Sequence, residues 1–191
     1  MACQFSRYCP HLRRMAAPSE FQRSQFGPKV FPFDRKKAHG RHHGPLKPFH
    51  ADRETFASLI YDAQNNGLPP DCKRVDLTEL SDIKENRDTE LKRQRCYLWV
   101  LDDDGVKILW EGIRNPRDLL EGRVKHTNIT GGDAVYLGGE MYFGDDGCLY
   151  INTFSDRYAG SPKDFSFENE WQAAAAYIQE VFVKFQLIML S

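Results

Sequence analysis

No stretch of this 191-residue chain supplies the roughly 18 consecutive apolar residues of a membrane span. Nor does its N-terminus contain the apolar core of a secretory signal; it is rich in Arg and Ser and poor in acids. These absences favour a cytoplasmic protein with no membrane partner, and the Arg/Ser-rich start leaves a mitochondrial or secreted-effector destination as the alternative. Cysteine is scarce as well. Cys3, Cys9, Cys72, Cys96 and Cys148 are odd in number and widely spaced, which argues against a disulfide framework and for reduced thiols. Cys96 and Cys148 stand in apolar runs and read as small core residues. There is no internal repeat. A hydrophobic content of 41% against 28% charged residues is that of a globular chain, and the length suits one well-filled core.

The net charge of −1 hides an asymmetry. Residues 1–52 hold ten Lys/Arg against Glu20, Asp34 and Asp52, or +7; the rest then holds 26 − 10 = 16 basic and 27 − 3 = 24 acidic side chains, or −8. Two parts with different partners follow: a basic arm over 1–51 and a single domain over 52–191. Pro10, Pro18, Pro28, Pro32, Pro45 and Pro48 interrupt the arm, so it is expected to be extended. Its aromatics, among them Phe21, Phe26, Phe31 and Phe33, are too many for a free tail and suggest docking on a surface.

In the domain, Phe56, Leu59, Ile60 and Ala63 predict a helix over about 53–65. The charged stretch 73–95, with Leu77, Leu80, Ile83 and Leu91, reads as one surface helix. Runs at 96–101 and 106–110 flank an Asp-Asp-Asp-Gly turn and predict a hairpin. A short helix is expected at Asn115–Gly122, and further strands near 123–129, 135–143 and 148–154. A long closing helix from about Phe167 would bury Trp171, Ala174, Ala175, Ile178, Phe182, Phe185 and Ile188 on one face, capped by Ser166. The expected class is α+β: an antiparallel sheet of about five strands with helices on one face.

Five of the six histidines, His11, His39, His42, His43 and His50, lie in the arm. With Cys3 and Cys9 they do not form a standard zinc set, so no metal site is assigned. Arg35-Lys36-Lys37 with interleaved aromatics suits nucleic-acid phosphates and bases or an acidic protein surface, although no named nucleic-acid motif is present.

His126 differs from the others. It sits in a strand-like run, Val124 to Ile129, ahead of Gly131-Gly132. A lone strand histidine is commonly a satisfied structural residue. Here Thr127 and Asn128 are polar neighbours, the glycine pair permits close backbone approach, and Glu140, Tyr142, Ser155, Arg157 and Tyr158 follow on segments that can adjoin it. His126, Tyr142, Ser155 and Tyr158 are therefore the candidate catalytic residues. Thr127, Asn128, Gly131, Gly132, Glu140 and Arg157 are the candidate ligand-binding residues.

Trp99-Val100-Leu101, His126-Thr127-Asn128, Gly131-Gly132, Gly139-Glu140, Asp146-Gly147 and Ser155-Asp156-Arg157-Tyr158 together resemble the C-terminal region of the plant IQ-motif calmodulin-binding proteins and similar bacterial and fungal domains, over about residues 97–182. That family has Gly-His where this chain has Asp156-Arg157, and its turn after the histidine is one residue longer. No IQ motif is present, so calmodulin binding does not carry over; the resemblance implies a shared fold and pocket. Gly139-Glu140-Met141-Tyr142-Phe143 and Ser155-x-x-Tyr158 also resemble elements of the His-Tyr-Glu ADP-ribosyltransferases. That similarity implies NAD as cofactor, His126 on the nicotinamide ribose, Tyr142 against nicotinamide, and Glu168, Glu170 or Glu180 orienting the acceptor. The leading expectation is an effector-like or accessory domain whose polar pocket around His126 recognises a small molecule or peptide. The alternatives are a toxin-like NAD-dependent ADP-ribosyltransferase and a nucleic-acid-binding protein acting through its arm.

Overall fold

A computed structural model describes residues 17–32, 74–85, 90–112, 124–155, 157–158 and 165–190. The predicted helices at 53–65 and 115–122, and the arm histidines, lie outside the described residues.

The class is α+β, as expected, with a five-stranded sheet at its centre. In chain order the elements are α1 (Glu20–Gln25), α2 (Leu77–Glu85), α3 (Glu90–Arg93), β1 (Tyr97–Asp102), β2 (Gly105–Trp110), α4 (His126–Thr130), β3 (Leu137–Phe143), β4 (Cys148–Ile151), α5 (Phe165–Val181) and β5 (Gln186–Met189). The strand order is β2-β1-β3-β4-β5. The expected hairpin is present, with Asp102 opposite Gly105 and Gly105 at φ +116, a conformation that suits glycine. β1 pairs antiparallel with β3, and β3 with β4, the latter pair joined by the expected Asp145-Asp146-Gly147 turn.

Particular elements depart from expectation. The sheet is mixed, because β4 and β5 run parallel. The predicted closing helix stops at Val181, and the chain reverses into β5. No Gly or Pro marks that stop; Gln179 does the work. Its amide donates to the carbonyls of Phe182 (3.4 Å) and Phe185 (2.8 Å), and its Oε1 accepts from Leu187 N–H (2.9 Å). The helix also begins at Phe165, so Ser166 lies inside it rather than capping it. The single helix expected over 73–95 is two, α2 and α3.

Both faces of the sheet are covered. Residues alternate across a strand, so Trp99, Leu101, Ile108, Met141, Phe143 and Ile151 meet α5 through Trp171, Ile178 and Phe182. Trp99 stacks on Trp171 at 5.8 Å between ring centroids. The opposite set, Cys96, Leu98, Val100, Leu109 and Tyr142, meets Leu80 and Ile83 of α2 and Ile129 of α4.

Residues 17–32 are not extended. Ser19 and Gln22 form a capping box, with Gln22 N–H donating to Ser19 Oγ (3.2 Å) and Ser19 N–H to Gln22 Oε1 (2.9 Å). The short α1 that follows delivers Phe26, 1% exposed, into the core beside Tyr136 and Tyr177. Val30 exchanges backbone hydrogen bonds with Val135, and Lys29 pairs with Asp103.

Candidate functional site

His126 is not on a strand. The segment expected to be a strand near 123–129 holds a one-turn helix, α4. Asn128 Oδ1 accepts from Lys125 N–H (2.6 Å), Thr130 Oγ1 accepts from Gly132 N–H (3.0 Å), and Gly131 ends the turn in the left-handed region at φ +67. Short polar side chains that bond their own backbone favour such turns over a sheet ladder.

The His126 ring lies beside the small residues of β3, with Nε2 at 2.8 Å from the carbonyl oxygen of Gly139 and an edge contact to Tyr158. Around it runs a directed chain of hydrogen bonds. Tyr158 donates to the Asp133 carbonyl (3.0 Å), so Thr130 donates to Tyr158 (2.7 Å), while Thr130 accepts from Gly132. Burial pushes the Tyr158 phenol up to about 12, so it stays protonated as that chain requires. Ser155 Oγ accepts from the backbone N–H groups of Arg157 (3.3 Å) and Tyr158 (3.0 Å), which fixes the turn carrying Tyr158. His126, Thr127, Asn128, Ser155 and Tyr158 are buried, whereas Gly131, Gly132 and Arg157 are half-buried. His126, Thr130, Ser155 and Tyr158 thus converge, but as a knot of mutual hydrogen bonds and ring contacts beside the middle of β3.

The remaining two, Glu140 and Tyr142, belong to a second cluster on the α2/α4 side of the sheet. Its framework is backbone register. Cys96 N–H donates to the Lys92 carbonyl (2.8 Å), so Lys92 and Cys96 share one face of a helical turn. Glu111 N–H donates to the Cys96 carbonyl (3.0 Å), placing Glu111 across from Cys96. One step beyond the Tyr97–Met141 pair, Tyr142 adjoins Cys96 on the other side.

Glu140 is the centre. Lys92 Nζ donates to Oε1 at 2.6 Å, Tyr142 OH to Oε2 at 3.0 Å and Asn152 Nδ2 to Oε2 at 3.4 Å, while Asn152 Oδ1 accepts from Glu140 N–H (3.0 Å). This tight join between β3 and β4 requires Gly139, where a Cβ would stand 1.9 Å from the Asn152 carbonyl oxygen. Trp99 Nε1 bridges the same join, donating to the carbonyls of Glu140 (3.2 Å) and Asn152 (3.1 Å).

Burial acts against the Lys92 ammonium, but the Glu140 carboxylate outweighs it and holds Lys92 above its ordinary value. Burial raises Glu111 and pushes the Cys96 thiol well up, so Cys96 is a thiol and not a nucleophilic thiolate. Tyr142 is raised too, first by burial and also by the Glu140 carboxylate that accepts its hydrogen bond. Glu111 is half-buried, and the charge of Lys125, at the start of α4, reaches it, so the cluster approaches the surface on that side.

Sequence reasoning identified Glu140 and Tyr142 and missed Lys92, Glu111 and Asn152; Cys96 was read only as core. Lys92 looked like one more charge in a solvated helix, and no spacing signal links it to Glu140, 48 residues away. No protein-family model, curated protein or solved structure matches the chain.

Proposed function

We propose that this chain is a ligand-recognition domain whose site is the Lys92–Glu140 cluster, with Tyr142, Asn152, Cys96 and Glu111 around it, and that it takes a small polar molecule or the polar end of a peptide. The observation that carries the reading is the ion pair itself. Lys92 and Glu140 side chains are 4% and 12% exposed. Burying such a pair gains little over apolar residues of similar volume, so packing alone does not account for it. Perturbed titratable groups gathered at one place are a mark of functional sites. In this reading Glu140 accepts from a donor on the ligand, Lys92 donates to an anionic or carbonyl group, and His126 shapes the neighbouring wall through Gly139.

The NAD-dependent alternative draws less support. Tyr142 is 0% exposed and leaves no ring face on which nicotinamide could stack, and the His126 ring is buried against the Gly139 carbonyl. No helix among the described residues is long and apolar enough to cross a membrane. The test is a thermal-shift and NMR titration of the full chain, with no added metal, against amino acids, short peptides, nucleotides including NAD, and an oligonucleotide at two salt concentrations. A ligand that stabilises wild type and fails on Glu140→Gln is expected. A screen with no hit, or a hit that survives Glu140→Gln, overturns the assignment. A salt-sensitive oligonucleotide signal would transfer function to the basic arm.

A further inference from the structure

The same cluster contains a feature that small-molecule recognition does not need. Cys96 Sγ and a carboxylate oxygen from each of Glu111 and Glu140 lie within 4.8 Å of one another. Glu111 Oε2 is buried with no nitrogen or oxygen donor on it, and only the weakly donating Cys96 thiol bears on this carboxylate. A buried carboxylate oxygen so poorly satisfied calls for an explanation such as a bound ion. We propose that Cys96, Glu111 and Glu140 bind a divalent cation of the zinc class, a deepening that rests on the recognition reading of this cluster.

The donor chemistry selects the class. A thiolate beside carboxylates favours zinc and its neighbours over magnesium or calcium, which prefer oxygen alone. Donors around a tetrahedral zinc with bonds of roughly 2.0–2.3 Å stand roughly 3.3–3.8 Å apart, so the set has to contract by about an ångström. Lys92 holds Glu140 Oε1, while Tyr142 joins Oε2 to the Cys96 thiol, so Oε2 is the oxygen on the Cys96 side. The charges close: one thiolate and two carboxylates are offset by the cation's two positive charges and the one on Lys92. Binding releases the Cys96 proton, and any proton on Glu111, to solvent. Three protein donors leave a fourth position open, as in zinc sites that take water or a ligand. That position would face the half-buried Glu111–Lys125 side.

The test uses cobalt(II) and zinc(II) alone on the full chain. Cobalt should give the sulfur-to-metal charge-transfer band and the intense visible bands of tetrahedral coordination, and zinc should displace it. The band should persist when Cys3, Cys9, Cys72 and Cys148 are all replaced by Ala and vanish in Cys96→Ala. Glu111→Gln, which exchanges a half-buried carboxylate for a neutral amide of the same shape and should fold, should weaken cobalt binding at least about tenfold. Absence of the band from wild type overturns the proposal, as does a band that survives Cys96→Ala or an affinity unchanged by Glu111→Gln. Because the metal is titrated without any small molecule, its failure leaves the metal-free ligand screen to judge the recognition site separately.

Discussion

Replacing Lys92 by Met should cost far more than a surface lysine would. The side chain is 4% exposed and its ammonium lies 2.6 Å from Glu140, so Met keeps most of the volume and leaves a carboxylate buried without its counter-charge. Breaking such a pair from one side costs roughly 3–5 kcal/mol. In a chain of this length that lowers Tm by roughly 6–20 °C. Glu140→Gln alone should also destabilise, by stranding the ammonium. Lys92→Met combined with Glu140→Gln should recover much of the loss, because the neutral amide can still accept from Tyr142 and leaves no charge to compensate. The assay is chemical denaturation of wild type, both single variants and the double, read as a double-mutant cycle. A pH series adds a second readout. Lys92 is held above its unfolded value, so its contribution is fully present below about pH 10.4 and is lost as pH rises through the folded value. The gap between wild type and Lys92→Met should therefore close in alkali. A Lys92→Met variant within about 0.5 kcal/mol of wild type, or a double variant equal to the sum of the singles, would refute the buried pair.

Phe26→Ala should cost about 3–5 kcal/mol, because the ring is 1% exposed among Tyr136 and Tyr177; an unaffected melt would mean that residues 17–32 do not dock. Gln179→Leu should lose about 1–3 kcal/mol and accelerate hydrogen exchange at the Leu187 amide, whose protection is the direct check on the helix-to-strand reversal. Asp103 is held below the usual carboxylate range by hydrogen bonds from Lys29 and Tyr136, so it contributes stability above about pH 3.9 that is lost as pH falls through its folded value. With its side chain about half exposed, Asp103→Asn should cost below about 1 kcal/mol at neutral pH, and the difference should shrink in acid melts. His126→Ala should destabilise the fold by removing a buried ring packed on β3 and Tyr158; unchanged stability would return His126 to the list of ligand-facing residues.

Local pattern by itself determined the central hairpin, strands β3 and β4, and the buried face of α5. In each, one period dominates and a turn signal bounds it: Asp-Asp-Asp-Gly after Leu101, Asp-Asp-Gly after Gly144, and the apolar stripe through Trp171, Ile178 and Phe182. The capping box at Ser19 and Gln22 that starts α1 was passed over, because the surrounding prolines made the whole arm read as extended. Where two periods fit equally, only tertiary structure decided. Phe182, Phe185 and Ile188 continue the helical stripe as well as they start a strand; a glutamine reaching forward to three backbone groups, and the open edge of β4, settled it for β5. Val124 to Ile129 reads as strand-like, with β-branched Val, Thr and Ile, yet Asn128 and Thr130 bonded their own backbone and a left-handed Gly131 closed a helical turn. The site followed the same division. Glu140 and Tyr142 were named only as residues on a strand able to adjoin His126, and the structure groups them instead with Lys92. Lys92, Glu111 and Asn152 became partners only through strand register and helix placement, since a charge is identified as buried by what folds over it and not by its neighbours in the chain.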